Sequence, residues 1–509
     1  MPLIDQSNVP LGYRLPPGQS SLPCRLLVIA DLGADKAATQ AENLPSIDAW
    51  LAKNQPLLEL QGEGWSASIR VGGLYDLEPS ALLAQLQRGA VTDLEDDLAQ
   101  LHRQQQELFL VNRILHHPRV RQLEASWRSL DKLLKLTRSA EQVEVSFLHM
   151  QARHLQEELT SQELEATELF DLVYSRELGQ YGGEPYSALV VDAAWTLTSS
   201  HDLSLLANLA RLGQMAHLPV ITSAAAASFG LSDFNEELTR EKLQELASSP
   251  RYMKFRQLAA TPAARYLLLA MPRVLLRPPY QEHLQQNWFQ ETPETGEEAL
   301  VWGNAAYPLA GLLLQSFNQL GAYTGLLEAS GSQDYLYPPL QLTSAQLAQA
   351  PLESQWSQAR VAELTQAGLT AFVSGGRGDA LVCEMPVMLQ AASQSDDGVH
   401  PDNQLVYLMT VCRVAHYLKQ AMRELIGSSV TIQEVENGLN QWLQSIVSAQ
   451  EKPTAEILHR KPFRSAEVRL ARGETGAAEM QLQLQPHLKY QGESFALSLV
   501  AELPGETHG

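Results

Sequence analysis

Apolar and polar positions follow three different periods along the chain, and each period marks a region. Residues 22–33, "LPCRLLVIADLG", are a short apolar run entered from Pro23 and closed at Gly33, the pattern of a buried strand. "LLEL" (57–60) and the alternating "WSASIRV" (65–71) are two further strand segments. "EPSALLAQLQ" then predicts a short helix, with Pro79 early in it and Leu82, Leu83 and Leu86 on one side. From Thr92, "TDLEDDLAQLHRQQQELFLVNRILHH" opens with an N-cap residue and an acidic first turn. It then steps through positions 94, 98, 101, 105, 108, 112 and 115 at intervals of four and three, with Gln105 and Asn112 interrupting the leucines. Pro118 ends that helix. Beyond it Val120, Leu123, Trp127, Leu130 and Leu134 repeat the spacing, which predicts a second amphipathic helix. Leu123, Trp127, Leu130 and Leu134 are its candidate docking or core residues.

The middle of the chain alternates strand and helix. "SALVVDAAW" (187–195) and "HLPVITSAA" (217–225) flank the helical run "HDLSLLANLARLGQMA" (201–216), a β-α-β order that favours parallel pairing. "RYLLLAMP" (265–272) and "LTAFVSG" (369–375) are further strand candidates, with helices expected over 302–317 and 403–427. Polar or proline-rich stretches at 278–299, 328–354 and 391–402 read as loops.

The tail changes period. "SAEVRLAR", "EMQLQLQPHLKY" and "SFALSLVAEL" alternate apolar and polar residues, as strands with one buried face do. They predict a small antiparallel sheet that either curls onto its own chain or offers an edge to a neighbouring one. The candidate intersubunit residues are Val468, Leu470, Leu482, Leu484, Phe495, Leu497 and Leu499.

Composition narrows the function classes. The 509 residues are 45% hydrophobic and 19% charged, which fits a folded protein with more than one core. A net charge of −21 disfavours nucleic acid and anionic membrane as partners, because phosphate binding needs clustered cations. No basic segment followed by an apolar run opens the chain, and no run of about 18 apolar residues occurs. Three widely spaced cysteines, Cys24, Cys383 and Cys412, fit a reducing compartment, so a cytoplasmic location is expected.

Candidate chemistry is sparse. His116 and His117 point about 100° apart on a helix and cannot share a metal as an i, i+4 pair does; His149 and His154 are also poorly spaced. "YGGEPYSALVVDAAW" lacks the strand-GxGxxG-helix order of a dinucleotide site, and Gly182 and Gly183 read as a tight turn. Asp192 is a lone acid at a strand end. Arg377-Gly378-Asp379 reads as a glycine-rich turn. Arg273 and Arg277, beside prolines, either form an anion-binding face or neutralise nearby acids. No catalytic, cofactor or metal site is expected.

Several of these stretches resemble the large subunit of the type VI secretion contractile sheath, the TssC/VipB family. The blocks are "ILHHPRVRQLEASWRSL", "GQYGGEPYSALVVD", "SSPRYMKFRQL" with "ARYLLLAMPRVLLRPPY", "WGNAAYPLA", "CRVAHYLKQAMRELIGS" and the terminal "PHLKY" and "FALSLVAELP". "LGYRLPPGQSSLPCRLLVIADLG", "LPSIDAW" and "LYDLEPSALLAQL" are similar to the small sheath subunit, TssB/VipA.

The resemblance implies a mixed α/β (α+β) protein of four regions. These are a small-subunit-like αβ segment (1–91), a helical connector and docking helix (92–138), a large-subunit-like α/β core (139–460) and C-terminal strands for intersubunit pairing (461–509). It implies a structural protomer, a fusion of small and large subunits, that self-assembles into a helical polymer around an Hcp-like inner tube and drives it outwards on contraction. Baseplate components are implied partners. An AAA+ unfoldase that recognises a helical extension of the usual large subunit is a further partner, although the fused segment occupies the corresponding region here. A non-polymerising accessory protein that binds sheath or baseplate is the alternative.

Overall fold

The computed structural model describes residues 23–88, 97–138, 140, 142–160, 163–180, 182–284, 287–292, 300–328, 351–374, 381–383, 386–389, 404–425, 431–451, 453–472, 478–487 and 497–502. The first strand, β1 (Cys24–Ala30), is apolar at six of its seven positions and lies inside a sheet. A hairpin, β2 (Leu57–Gly62) and β3 (Trp65–Arg70), follows, then β4 (Val143–His149), β5 (Ala188–Trp195), β6 (Val220–Ala224) and β7 (Leu267–Met271). Short strands β8 (Val274–Arg277), β9 (Gln281–Leu284), β10 (Asn287–Gln290) and β11 (Val301–Gly303) come next, then β12 (Thr370–Ala371), β13 (Val373–Ser374) and β14 (Leu381–Val382).

Six strands form one parallel sheet in the order β12-β7-β6-β5-β1-β4. Residues of β1 alternate between its two faces. Leu26, Val28 and Ala30 join one apolar cluster, and Leu27 and Ile29 the other. The Pro118–Thr137 and Ala306–Leu320 helices cover the first face, and the Ser200–Ala216 helix covers the second. Burial on both faces explains why these strands are nearly continuous apolar runs. The expected β-α-β unit is present: β5 and β6 pair in parallel across the Ser200–Ala216 helix.

The expected boundaries at 91 and 139 do not separate folding units in this fold. β1 pairs with β4 along Cys24↔Val143 to Ala30↔His149 and with β5 along Leu26↔Ala188 to Ile29↔Val191, so residues on both sides of those boundaries share one core. The expected strand over 369–375 is two short pieces, β12 and β13, that pair in different sheets.

The C-terminal unit also begins before residue 461. Its sheet, β15 (Phe463–Arg472), β16 (Ala478–Pro486) and β17 (Leu497–Glu502), is antiparallel in that order. β15 and β16 pack on the Ile432–Ser445 helix and on one face of the Leu405–Leu425 helix. That second helix is buried nearly all round from Leu405 to Ala421, polar side chains included, because it serves two cores. Leu405, Leu408 and Cys412 enter the parallel-sheet cluster, while Val411, Tyr417 and Leu418 enter the C-terminal one.

Candidate assembly site

Strands β15 and β16 of the C-terminal sheet alternate buried and exposed residues. Val468, Leu482 and Leu484 are fully buried and Leu470 is half-buried, all on the face toward the helices. Between them Glu467, Arg469, Gln481 and Gln483 are exposed. Leu497 and Leu499 pair in register with Leu484 and Leu482. Phe495 lies outside the described residues. Trp442 of the Ile432–Ser445 helix stacks on Tyr417 with centroids 4.1 Å apart, closing the small core.

One edge of this sheet meets a helix. Val468 donates its N–H to Asn440 Oδ1 and accepts from Asn440 Nδ2, both at 2.8 Å. Leu470 N–H donates to Glu436 Oε2 at 2.7 Å, and Ala466 O accepts from Gln444 Nε2 at 3.4 Å. Asn112, the residue that breaks the leucine ladder, does the same elsewhere: its Nδ2 donates to Thr292 O at 2.7 Å and its Oδ1 accepts from Thr292 N–H at 2.9 Å. The polar interruption of an apolar seam is therefore a backbone clamp.

The docking reading of the Pro118–Thr137 helix resolves to core. Leu123, Trp127 and Leu130 are 0% exposed and Leu134 is 1%, and Trp127 Nε1–H donates to Leu32 O at 3.1 Å. The helix is tied to the short strands by buried charge. Arg277 donates to Glu124 (Nε to Oε1, 2.6 Å) and to Glu291 (Nη1 to Oε2, 2.7 Å). Arg128 joins Glu124 at 2.7 Å and Tyr280 Oη at 2.8 Å. Burial by itself would push the Glu124 carboxyl up, but Arg277 and Arg128 outweigh it and hold it below the usual carboxylate range. Arg273 takes Glu353. Both arginines thus neutralise acids of their own chain.

The remaining candidates are structural in the same way. His116 and His117 sit at the junction of two helices; His116 Nδ1 lies 2.8 Å from Asn112 O, and His117 Nδ1 accepts from Arg119 N–H. Gly182 has φ +81°, and a Cβ at Gly183 would lie 2.3 Å from Arg176 O, so the tight turn needs both glycines. Cys24, Cys383 and Cys412 are buried, and burial pushes the Cys24 thiol up to about 11. Arg377-Gly378-Asp379 lies outside the described residues.

Asp192 lies inside β5, not at its end, where the pairing with β6 shifts register, and it lines a crevice of about 860 Å³ toward the carboxyl ends of β5, β6 and β7. Burial raises its pKa, and Tyr307 Oη–H donates to it at 3.0 Å. The crevice floor is small, with Ala193, Ala224 and Gly303 among its residues, and its polar groups bond one another: Ser223 Oγ–H donates to Asn304 Oδ1, and Asn304 Nδ2 to Ala193 O. Among the described residues no group of three or more His, Cys, Asp or Glu could hold a metal, and no helix is long and apolar enough to cross a membrane.

The β9–β10 hairpin lies in the stretch 278–299 that reads as a loop, the Ile432–Ser445 helix is not among the expected helices, and β4 and the helix side chains on β15 also escape sequence reasoning. β4 was missed because Glu144 and Ser146 interrupt its apolar run; Glu144 faces Arg25 at 3.5 Å. The helix side chains on β15 were missed because Glu436, Asn440 and Gln444 look like a solvated helix face, and only their spacing of four could have signalled a shared target.

Comparison with known proteins matches this anatomy. Residues 97–384 match the VipB family described as EvpB/VC_A0108, tail sheath N-terminal domain, and residues 396–503 match the EvpB/VC_A0108 tail sheath gpW/gp25-like domain. The type VI secretion system sheath protein TssC1 of Pseudomonas aeruginosa (strain PAO1) is 28% identical over 477 residues, covering 89% of this chain and 94% of that protein. Among solved structures, the anti-feeding prophage baseplate aligns at 9% identity and TM-score 0.35, covering 98% of this chain and 96% of the other. The contracted helical sheath of the same prophage aligns at 11% and 0.36, covering 98% and 97%. These two superpositions are loose and carry no weight beside the sequence matches. Matched over more than half its length by the N-terminal sheath domain, and over its closing strands by the second, the chain belongs to the VipB (EvpB/VC_A0108) family of tail sheath proteins.

Proposed function

We propose that this chain is the large subunit of a type VI secretion contractile sheath, which polymerises in helical rings around an Hcp-like inner tube and drives the tube outwards on contraction. It catalyses no reaction in this role. The observation that carries the reading is the C-terminal sheet. Its apolar face is committed to the chain's own helices, and its last strand, β17, has a neighbour on one side only among the described residues. Such an edge can accept a strand from an adjacent subunit, holding subunits together through backbone hydrogen bonds while side-chain packing elsewhere rearranges.

The expected fusion of a small and a large subunit is the weaker reading of the first 91 residues. β1 is an inner strand of the parallel sheet, and the match to TssC1 covers more of the chain than residues 92–509 can supply. Both observations favour a segment that belongs to the large subunit, with the small subunit supplied as a separate chain. Coverage of 94% of TssC1 also removes the shortening that would favour a non-polymerising accessory role.

Negative-stain electron microscopy tests the proposal. The chain co-produced with a small sheath subunit and an inner-tube protein is expected to give striated hollow cylinders, and deletion of residues 492–509 to abolish them. Cylinders from the chain without any small subunit would reinstate the fusion. Unchanged cylinders after the deletion would sink strand addition at β17.

A further inference from the structure

A three-stranded sheet has two edges, and an assembly built by strand addition must choose between them. The middle strand β16 is paired on both sides, leaving β15 and β17. Along β15 the residues whose backbone groups point away from β16 include Ala466, Val468 and Leu470, and the Ile432–Ser445 helix reaches the C=O of Ala466 through Gln444, both groups of Val468 through Asn440 and the N–H of Leu470 through Glu436. The match is geometric. Four residues of helix rise about 6 Å, and two residues of strand rise about 6.7 Å. Side chains at helix positions 436, 440 and 444 therefore stay in step with strand positions 470, 468 and 466. The Asn440 amide satisfies donor and acceptor of Val468 together, as a partner strand would.

The register also identifies the backbone groups of the other edge. Val468 faces Leu482 with its own N–H and C=O turned outwards, so those of Leu482 turn toward β17 and meet Leu499. The next residues on either side, Ser498 and Val500, consequently present N–H and C=O to the side of β17 that has no neighbouring strand among the described residues.

We propose that Glu436, Asn440 and Gln444 are an edge guard: they close β15 to incoming strands, so that a strand from a neighbouring subunit adds to this sheet only at β17. Strand addition then has one polarity and cannot branch. Native sheets block unwanted edges with charge, proline or covering elements; here one helix both packs the sheet's apolar face and occupies its edge. The inference rests on the strand-addition reading above.

The test separates the two edges. Val500→Pro removes an outward N–H from β17 without touching its bonds to β16. In that background Glu436→Ala with Asn440→Ala opens β15. The full chain carrying all three substitutions, folded by near-ultraviolet circular dichroism, is expected to show at least a twofold rise in weight-average mass by light scattering over Val500→Pro alone, the minimum for pairing two copies. An unchanged mass overturns the guard. If the double alanine change prevents folding, Asn440→Asp in the same background keeps the acceptor for Val468 N–H and loses the donor to Val468 O. It is expected to raise the mass by a smaller amount, and a mass equal to that of Val500→Pro overturns the guard equally. The underlying reading is checked separately: Val500→Pro alone, co-produced with small subunit and tube, is expected to lose cylinders, and normal cylinders would refute strand addition at β17 whatever the guard does.

Discussion

Replacing Arg277 with methionine tests the buried charge network most directly. Arg277 is 5% exposed and its guanidinium serves Glu124, at 0%, and Glu291, at 4%, over distances of 2.6 to 3.3 Å. Methionine fills much of the volume but leaves two buried carboxylates with one fewer cation. Breaking a buried ion pair from one side costs about 3–5 kcal/mol, because the partner charge stays buried without compensation. The pH dependence gives the reasoning its sharper edge. In the wild type Glu124 is held below its ordinary pKa, so its contribution is present above the unfolded value and is lost as pH falls through the folded one. Without Arg277, burial acts on Glu124 against Arg128 alone. Its folded pKa rises, and protonation relieves part of the penalty. The deficit against wild type should therefore be largest near pH 7 and shrink toward pH 5, measured as the difference in urea midpoints at equal m-values. Replacing both acids by glutamine in the same background should restore part of the loss at pH 7. A deficit under about 1 kcal/mol at pH 7, or one that grows on acidification, would refute this account.

Two further outcomes follow from named contacts. Trp127→Ala should cost about 3–5 kcal/mol in urea unfolding, since it empties a fully buried site and orphans Leu32 O; wild-type stability would mean the site collapses without penalty. His416 is buried, and burial lowers its pKa to about 4. The unfolded chain therefore takes up that proton first as pH falls. Stability should decline between about pH 6.5 and 4 by roughly 3 kcal/mol from this residue, and His416→Gln should flatten that limb; an identical pH profile in the variant would show that other groups set it.

Local pattern carried much of the architecture. The alternation of "EVRLAR" and "MQLQLQ" specifies which residues face inwards, and Val468, Leu482 and Leu484 are buried accordingly. What pattern does not carry is address. The run "CRLLVIA" is a buried strand by composition, yet nothing in it says that its neighbours are Val143–His149 and Ala188–Trp195, so the segment looked separable when it is central. An amphipathic stripe such as Leu123, Trp127, Leu130 and Leu134 likewise reads the same whether it faces a partner or its own sheet. The polar clamps were illegible for a related reason. Asn112 looks like a flaw in a leucine seam and Asn440 like a solvated position, and their meaning lies in backbone groups 180 and 28 residues away.

The central position of β1 also sets a timetable for synthesis. Its partners, β4 and β5, are encoded far downstream, and the sheet cannot close until Trp195 has left the ribosome. At translation rates of about 5–20 residues per second, the apolar strand Cys24–Ala30 waits on the order of ten seconds with both of its hydrogen-bonding edges unfilled. Non-local pairing of this kind is slow to form in any case. During that interval the nascent chain is most open to pairing with the wrong neighbour.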